Sequence, residues 1–315
     1  MFNALVIGCG NIGAGYDFAN DQVLTHSKAY SQNPHFTFSV FDTDQNLAQK
    51  VSEKYNCGVV HDLKPETLTT FDCVSICSPT GTHFEYLKMA LNAGVKVIAC
   101  EKPVAYKAGE LDALEKMYHA HASKILVNYT RRFQPAYITL KETISELMLR
   151  EKLTNISIRY QRGFLNNCSH ALDLIQFLTE KEFQLTNTAI SNRIKDHFEN
   201  DPTLSLTGLW GATNVSILGL SDVKFSLFEI ELYFEHTRIS LLNSGDTIRL
   251  QRAENADKFL QPLQTNEKEE KQGCLKNTMI NVIDRVHELL VSEQTRDNFV
   301  SALRLNQYIL KIIEN

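Results

Sequence analysis

The chain has 315 residues, of which 43% are hydrophobic and 22% are charged, and its formal net charge is −5. A chain of this length can bury a large hydrophobic core, and the length predicts two domains. The charges form neither a basic stripe nor an acidic tail, which argues against nucleic acid or an anionic membrane as the main partner. No apolar stretch approaches the length of a membrane-spanning helix.

The seven cysteines are scattered and odd in number, a pattern that favours reduced thiols in a cytoplasmic protein over a disulfide framework. Cys73 and Cys77 are four residues apart, but no second cysteine pair or nearby histidine completes a zinc site with them, so no metal site is predicted. The first seven residues, Met1–Ile7, already predict the start of a strand. Without a basic segment before it, this apolar run is too short for a signal peptide.

Residues 1–128 predict alternating strands and helices, typical of a doubly wound Rossmann domain of the α/β class. The strands are apolar almost throughout, which indicates a parallel sheet covered on both faces. Strands are expected near 3–8, 37–42, 58–60, 73–78, 95–100 and 124–128. Helices are expected near 25–32, 45–55, 82–93 and 108–121.

Residues 129–315 predict an α+β domain for substrate binding and oligomerisation, with a mostly antiparallel sheet covered by helices on one side. Helices are expected near 135–149 and 168–178, with a strand at 155–160 between them and further strands over 183–252. The segment 253–273 is polar and predicts a mobile loop. Two amphipathic helices, near 276–291 and 295–313, follow it.

Alternation in the stretch from Phe225 to Phe234 places its residues on two faces of a strand. One face carries Phe228, Ile230, Leu232 and Phe234. The other face carries Glu229, Glu231 and Tyr233. That second face is either the interface of a homodimer or homotetramer, or a solvated surface with a few exposed apolar residues.

The sequence Gly8-Cys9-Gly10-Asn11-Ile12-Gly13 directly follows the first strand. In such a motif the first glycine permits a tight turn, the second lets the backbone approach a pyrophosphate, and the third allows close helix packing. We therefore expect Gly8, Gly10, Asn11, Ile12 and Gly13 to bind a dinucleotide. A polar run, 17–22, interrupts the helix expected next and predicts an inserted loop.

Asp42 ends the second predicted strand. An acid at this place accepts hydrogen bonds from the adenosine ribose and repels a 2′-phosphate, which favours NAD over NADP. The alternative is that Asp42 caps the helix at 45–55, a role that Thr43 or Asp44 could fill as well.

Ser78, Pro79, Thr80 and His83 follow the fourth predicted strand, at the edge of the sheet where ligands bind in open α/β folds. We expect them to line the nicotinamide half of the cofactor. The alternative is a turn followed by a helix cap, without a cofactor role.

Lys102 lies in Cys100-Glu101-Lys102-Pro103, just after the fifth predicted strand. An ammonium beside a dinucleotide is suited to polarise a hydroxyl or carbonyl during hydride transfer. Pro103 restricts Lys102 to an extended backbone, which aims its side chain. Without this context, Lys102 would be an ordinary surface lysine.

His170 lies on the predicted helix at 168–178 and shares a face with Asp173 and Phe177. A single histidine on an amphipathic helix is more often structural than catalytic. The residues alone therefore leave its role open.

The glycine motif, Glu101-Lys102-Pro103, the His170 segment and Val127–Phe133 together resemble the glucose–fructose oxidoreductase / inositol dehydrogenase / MocA (Gfo/Idh/MocA) family, over essentially the whole chain. The resemblance implies that Glu101 and Lys102 contact the cofactor and that Lys102 and His170 are catalytic. Many members have aspartate where this chain has Asn166. An amide cannot accept a proton, although it can orient a sugar hydroxyl.

The resemblance implies an NAD(H)-dependent oxidoreductase that moves a hydride between nicotinamide and a secondary alcohol or ketone of a sugar or nucleotide sugar. The residues 159–170 of this chain are similar to the same segment of family members from surface-polysaccharide pathways. The expected substrate contacts are Lys102, Tyr129, Arg131, Tyr160, Arg162, Asn166, Asn167 and His170. The arginines suit a phosphate or carboxylate, or Arg131 and Arg132 tie the domains together.

Two other functions fit the same residues. One is a non-catalytic NAD(P)-binding sensor that regulates a partner protein. The other is an enzyme that uses transient oxidation to assist elimination or glycoside cleavage. Retention of both Lys102 and His170 favours the enzyme over the sensor, since a sensor needs neither an ammonium nor a proton shuttle.

Overall fold

The structure is a computed structural model that describes residues 1–253, 261–265 and 269–314. It divides into two compact units. The first comprises Met1–Phe133 and Asn277–Leu310, and the second comprises Gln134–Lys276 and Lys311–Asn315. The sequence predicts that all of 129–315 forms one domain, but Asn277–Leu310 clusters with the first unit, because its apolar side chains join that unit's core.

The first unit contains a six-stranded, wholly parallel sheet, which confirms the predicted Rossmann architecture. Its order is β3-β2-β1-β4-β5-β6, so the direction of winding reverses between β1 and β4. Ligands bind at this switch point in open α/β sheets. The strands are β1 Phe2–Ile7, β2 Phe36–Phe41, β3 Gly58–Val59, β4 Cys73–Ile76, β5 Val97–Cys100 and β6 Lys124–Val127.

The connecting helices begin and end at residues suited to those places. They are α1 His26–Gln32, α2 Gln45–Tyr55, α3 Pro65–Leu68, α4 His83–Asn92 and α5 Ala108–Ala120. Thr25 accepts the amide of Lys28 at the start of α1, and Asp44 accepts the amides of Asn46 and Leu47 at the start of α2.

The helix α8 (Thr278–Val291) has an apolar stripe that packs into the core of the first unit. Met279, Val282, Ile283 and Val286 are all buried there, at the three- and four-residue spacing of one helix face. The last helix is α9, Phe299–Glu314.

In the second unit the described residues form a sheet of nine strands, mostly antiparallel, as predicted. Its order is β14-β13-β12-β11-β7-β10-β9-β8, with β15 paired to β13. Among the pairs on this path, β7 and β10 run parallel. The strands are β7 Leu153–Gln161, β8 Thr186–Ile194, β9 Thr203–Trp210, β10 Thr213–Leu220, β11 Glu229–Phe234, β12 Thr237–Leu242, β13 Thr247–Ala253, β14 Leu263–Thr265 and β15 Lys271–Gln272. The helices of this unit are α6 Pro135–Met148 and α7 Ser169–Thr179.

The two faces of β11 differ as the alternation predicts. Phe228, Ile230, Leu232 and Phe234 are buried. The strand begins at Glu229 rather than at Phe225, whose side chain is exposed. On the opposite face, Glu231 is only 5% exposed, because Tyr233, Arg159 and Arg238 surround its carboxylate.

The predicted mobile loop at 253–273 is only partly described. Residues 254–260 and 266–268 lie outside the described residues. The described remainder includes β14 and β15, which both pair with β13, so that part is strand rather than loop. Within the described ranges, every helix is too short or too polar to cross a membrane.

Candidate functional site

Two glycines at the carboxyl end of β1 occupy places where a side chain would clash. Gly8 has φ +97°, and a Cβ there would lie 2.7 Å from the amide nitrogen of Ser78. A Cβ at Gly13 would lie 1.9 Å from the carbonyl oxygen of Gly8. At Gly10, by contrast, no described atom lies within 4 Å of the added Cβ. The motif therefore has the tight turn and close packing of a dinucleotide cradle, with space at its middle glycine.

The inserted segment after the motif is fixed by a carboxylate that the sequence analysis missed. Asp17 is fully buried and accepts the amides of Leu24 and Thr25, at 2.6 and 2.8 Å, and the hydroxyl of Thr25 at 2.8 Å. The segment Asn11–Gly15 forms a short π-helical turn, and α1 begins only at His26. The predicted insertion is present and internally braced.

Asp42 is bonded to the glycine motif. Its Oδ2 accepts the amide of Cys9 at 2.7 Å, and its Oδ1 accepts the amide of Asp44 at 2.8 Å. Asp44, rather than Asp42, caps α2. Of the two interpretations given to Asp42, the capping role thus belongs to its neighbour. The Asp42 carboxylate lies at the end of β2, next to the motif.

The loop after β4 is closed by its own hydroxyls. Ser78 Oγ lies 2.7 Å from Thr82 Oγ1, and Thr82 Oγ1 donates to the carbonyl of Pro79 at 2.7 Å. Pro79 and Thr80 thus lie in a tight turn that leads into α4. Ser78 and Thr80 are half-buried and Pro79 is exposed.

His83, one of the predicted cofactor contacts, is buried at the start of α4. Its ring is 1% exposed, and each of its nitrogens lies 2.9 Å from a carbonyl oxygen, that of Ser78 for Nε2 and that of Pro103 for Nδ1. Burial lowers the pKa of His83 despite these two bonds. Its nitrogens are therefore engaged inside the unit, where they join the loops that follow β4 and β5.

Glu101, another predicted cofactor contact, is also buried. The residue is 8% exposed, and its Oε1 lies 2.6 Å from Asn128 Nδ2 and 3.0 Å from His26 Nε2. Burial by itself would raise the pKa of Glu101. The hydrogen bond and charge of His26, the bond from Asn128 and the charge of Lys102 outweigh burial, so that pKa lies below its ordinary value. One oxygen of the carboxylate is therefore engaged by His26 and Asn128, and a contact between Glu101 and a cofactor stays a prediction.

Lys102 is half-buried. The residues that follow it, Val104 and Ala105, are hydrogen-bonded to a side chain that is distant in sequence. Asn306, on α9, is fully buried. Its Oδ1 accepts the amides of Val104 and Ala105 at 2.9 and 3.3 Å, and its Nδ2 donates to the carbonyl of Ala105 at 3.1 Å. The sequence analysis missed Asn306. Its only signal is an amide on the apolar face of an amphipathic helix.

The residues predicted at the end of β6 belong to the first unit. Tyr129 is 2% exposed and precedes the short helical turn Thr130–Phe133, in which Arg131 is half-buried. The first unit thus contains the glycine motif, Asp42, the Ser78 turn, Lys102, Tyr129 and Arg131.

Tyr160, a predicted substrate contact, lies in the second unit. It is fully buried, and its hydroxyl donates to the carbonyl of Leu204 at 2.9 Å and accepts the amide of Leu204 at 2.7 Å. Burial raises the pKa of Tyr160. The side chain joins β7 to β9, and its contact with a substrate stays a prediction.

The remaining predicted residues of this unit follow β7. Arg162 is exposed with φ +68°. Asn166 and Asn167 lie on the π-helical turn Phe164–Cys168, and their Nδ2 atoms donate to the carbonyls of Arg162 (3.4 Å) and Gln161 (2.7 Å). His170 follows in the first turn of α7, half-buried, with its ring edge-on to Phe228 at a centroid distance of 6.5 Å.

Comparison with known proteins agrees with this fold. Residues 2–129 match the GFO_IDH_MocA family model, described as an oxidoreductase family with an NAD-binding Rossmann fold. The inositol 2-dehydrogenase of Rhizobium meliloti is 30% identical over 142 residues, which are 45% of this chain and 40% of that protein. The aligned regions cover 40% to 64% of the first three curated relatives.

Solved structures match over almost the whole chain. UDP-N-acetylglucosamine 3-dehydrogenase GnnA from Acidithiobacillus ferrooxidans has a TM-score of 0.77 at 17% identity, covering 98% of this chain and 96% of that one. The super-repressor mutant of Gal80p from Saccharomyces cerevisiae has a TM-score of 0.76 at 14% identity, covering 99% and 95%. At these identities the match concerns the fold alone. The family model covers residues 2–129, and over these residues the chain is similar to the Gfo/Idh/MocA family of oxidoreductases.

Proposed function

We propose that the protein is an NAD(H)-dependent oxidoreductase that transfers a hydride between nicotinamide and a secondary alcohol or ketone of a sugar or nucleotide sugar. The observation that carries this proposal is the fixed position of the Lys102 segment. That segment leaves β5 at the same sheet edge as the glycine motif and is held by Asn306 and by the buried Glu101 carboxylate. Such preorganisation is what electrostatic stabilisation of a developing alkoxide requires.

The cofactor is proposed to be NAD rather than NADP. The cradle around Gly10 fits a pyrophosphate, and the Asp42 carboxylate beside it favours ribose hydroxyls over a 2′-phosphate. When bound, the dinucleotide supplies the hydride chemistry itself. The protein's part is to orient the two reactants and to handle the proton.

Two side chains are proposed to do the chemistry. Lys102, as an ammonium, donates a hydrogen bond to the substrate oxygen and stabilises the negative charge that develops there. His170 accepts the hydroxyl proton during oxidation and returns it during reduction, because an imidazole exchanges protons near neutral pH.

The substrate class follows from the polar side chains after β7. Arg162 offers an exposed guanidinium, which suits a phosphate or carboxylate, and Asn166 and Asn167 offer amides that suit sugar hydroxyls. We include Arg131 and Tyr129 among the proposed contacts. The names of two relatives, an inositol dehydrogenase and a UDP-N-acetylglucosamine dehydrogenase, support a cyclic polyol or sugar with a secondary hydroxyl.

We further propose that the protein forms a homodimer or homotetramer through the open face of the nine-stranded sheet. Leu218 on β10 is an exposed large apolar residue and pairs with Arg159 on β7, so it lies on the face of the sheet opposite the buried Ile217. Light scattering of the purified protein measures its mass. A monomer at high micromolar concentration contradicts this assembly.

The fold alone does not select a function, since it is shared with a protein named as a repressor. The deciding experiment measures NADH formation from NAD⁺ with a panel of inositols, simple sugars and UDP-sugars. We expect turnover in wild type and loss of turnover in Lys102→Ala, while NADH still binds both. Lys107→Ala, which removes an exposed lysine five residues on, is the matched control. Tight NADH binding without turnover of any panel compound would favour the sensor.

A further inference from the structure

The geometry points to Asp201 as the positioning residue for the segment that carries Asn166, Asn167 and His170. This inference rests on the proposed function, because it assigns that segment to the substrate side of the site. Asp201 lies 35 residues after Asn166 in sequence and just before β9. It belongs to none of the motifs in the sequence.

The Asp201 carboxylate binds the start of the π-helical turn with both oxygens. Oδ1 accepts the amide of Leu165 and Oδ2 accepts the amide of Asn166, each at 2.7 Å. The first amides of any helix lack partners within it and need acceptors from elsewhere. The residue before this turn is Gly163, which has no side chain to cap it. Asp201 supplies the missing acceptor from another part of the chain.

The contact is buried and closely fitted. Asp201 is 3% exposed, and a Cβ at Gly163 would lie 2.2 Å from its Oδ2. Hydrogen bonds from amides to a carboxylate are shorter and stronger than those to neutral acceptors, and burial strengthens them further. The carboxylate is therefore suited to hold a backbone in one place.

Neighbours of Asp201 bind the two preceding amides. The amide of Phe164 donates to the carbonyl of Pro202 at 3.0 Å, and the amide of Gly163 donates to Thr203 Oγ1 at 2.9 Å. Four consecutive amides, those of residues 163–166, thus donate to three consecutive residues, 201–203. The start of the turn is fixed to the start of β9 along its whole length.

A shift of this turn moves three of the proposed substrate contacts that follow β7, namely Asn166, Asn167 and His170. Asn166 and Asn167 lie within it, and His170 follows within one turn of helix. A misplacement of about 1 Å at a reacting group costs on the order of 100-fold in rate. Asparagine at position 201 would direct an NH₂ group at one of the two amides, so that a donor would face a donor. A carboxylate is the side chain that satisfies both.

The test compares Asp201→Asn with Glu199→Gln, which removes a negative charge from an exposed residue two positions away. We expect Asp201→Asn to lower kcat about 100-fold while the Kd for NADH stays within twofold of wild type. Glu199→Gln should match wild type in both. Asp201→Glu, which keeps the carboxylate, should recover part of the lost kcat. A general loss of folding would weaken NADH binding too, so the split between kcat and Kd separates positioning from global damage.

Hydrogen exchange provides a readout that needs no substrate. In wild type the amides of Leu165 and Asn166 should be protected, and Asp201→Asn should speed exchange over 163–170 while leaving the rest of the chain unchanged. Unprotected amides at 165 and 166 in wild type, or unchanged kcat in Asp201→Asn, overturns the inference. Wild-type protein that oxidises no panel compound overturns the proposed function instead, and the exchange result still decides the contact.

Discussion

His26 Nε2 lies 3.0 Å from Glu101 Oε1, and both side chains are buried inside the first unit. His26 is the first residue of α1, and Glu101 directly follows β5. Asn128 donates to the same carboxylate oxygen at 2.6 Å from the end of β6. Three elements that meet at one edge of the sheet are thus joined through one carboxylate, next to Lys102.

Replacing His26 should destabilise the first unit measurably. His26→Ala leaves the buried Glu101 carboxylate with one fewer hydrogen-bond donor, and a bond to a charged group contributes about 1.5–3 kcal/mol. We expect a loss of that size in the free energy of unfolding by urea at pH 7. His61→Ala, at an exposed histidine bonded to Gln45, is the control and should change stability by less than about 0.5 kcal/mol. Equal effects of the two changes would contradict a stabilising role for the His26 contact.

The lowered pKa of Glu101 also predicts how stability depends on pH. The unfolded chain binds a proton at the ordinary carboxyl pKa, whereas the folded protein binds it only at lower pH. This carboxylate therefore stabilises the fold fully above its ordinary pKa, and the stabilisation is lost as pH falls through the lowered value. Glu101→Gln should flatten the stability curve over that acidic window. A curve parallel to wild type would exclude Glu101 as a source of acid sensitivity.

The parts of the site that the sequence predicts are those encoded locally. The glycine motif and Asp42 each directly follow a strand, so the strand order places them at one sheet edge. The positions of Glu101 and His83 near the ends of strands are predicted in the same way. The orientation of their side chains, however, depends on partners elsewhere in the chain. The sequence pattern therefore predicts where a residue lies in the fold, but it does not predict the orientation of its side chain.

Local sequence patterns do not predict contacts between distant parts of the chain. Asn306 binds Val104 across 202 positions, and Asp201 binds Asn166 across 35. The packing of Asn277–Leu310 in the first unit is not predicted for the same reason. Periodicity predicts an amphipathic helix but not the surface that the helix covers. The hydrogen bond from Tyr160 to Leu204 joins residues 44 positions apart, so the sequence pattern does not predict it either.

Asn306 should control turnover without touching the reactants. Asn306→Ala removes the acceptor for the amides of Val104 and Ala105, so the segment after Lys102 loses its anchor. We expect kcat to fall by roughly 10- to 100-fold, with NADH affinity nearly unchanged because the glycine motif is intact. The exposed amide of Gln307, which donates to Asp112, offers the control Gln307→Ala. Unaltered kcat in Asn306→Ala would show that Lys102 needs no such support.

Asp42 should determine the choice between the two dinucleotides. Asp42→Ala removes both the acceptor for ribose hydroxyls and the charge that repels a 2′-phosphate. We expect the Kd for NADH to rise and the Kd for NADPH to fall, so that their ratio shifts by at least about tenfold, or about 1.4 kcal/mol. Binding is followed by fluorescence titration, which needs no substrate. Asp44→Ala, at the cap of α2, should lower stability and leave the ratio unchanged.

Asn166→Asp tests whether the amide at this position has a function of its own. Asn166 Nδ2 donates to the carbonyl of Arg162 at 3.4 Å, and an ionised carboxylate has no proton to donate there. An aspartate at this position would place a negative charge against that carbonyl oxygen and loosen the turn that follows Arg162. Loss of one neutral hydrogen bond is worth about 1 kcal/mol, so we expect kcat/KM to fall by roughly fivefold with NADH affinity unchanged. Asn200→Asp, at an exposed amide in the loop before β9, is the matched control and should have little effect. A rise in kcat/KM for Asn166→Asp would mean that a carboxylate near His170 outweighs the turn, and that the chain's amide reduces its catalytic rate.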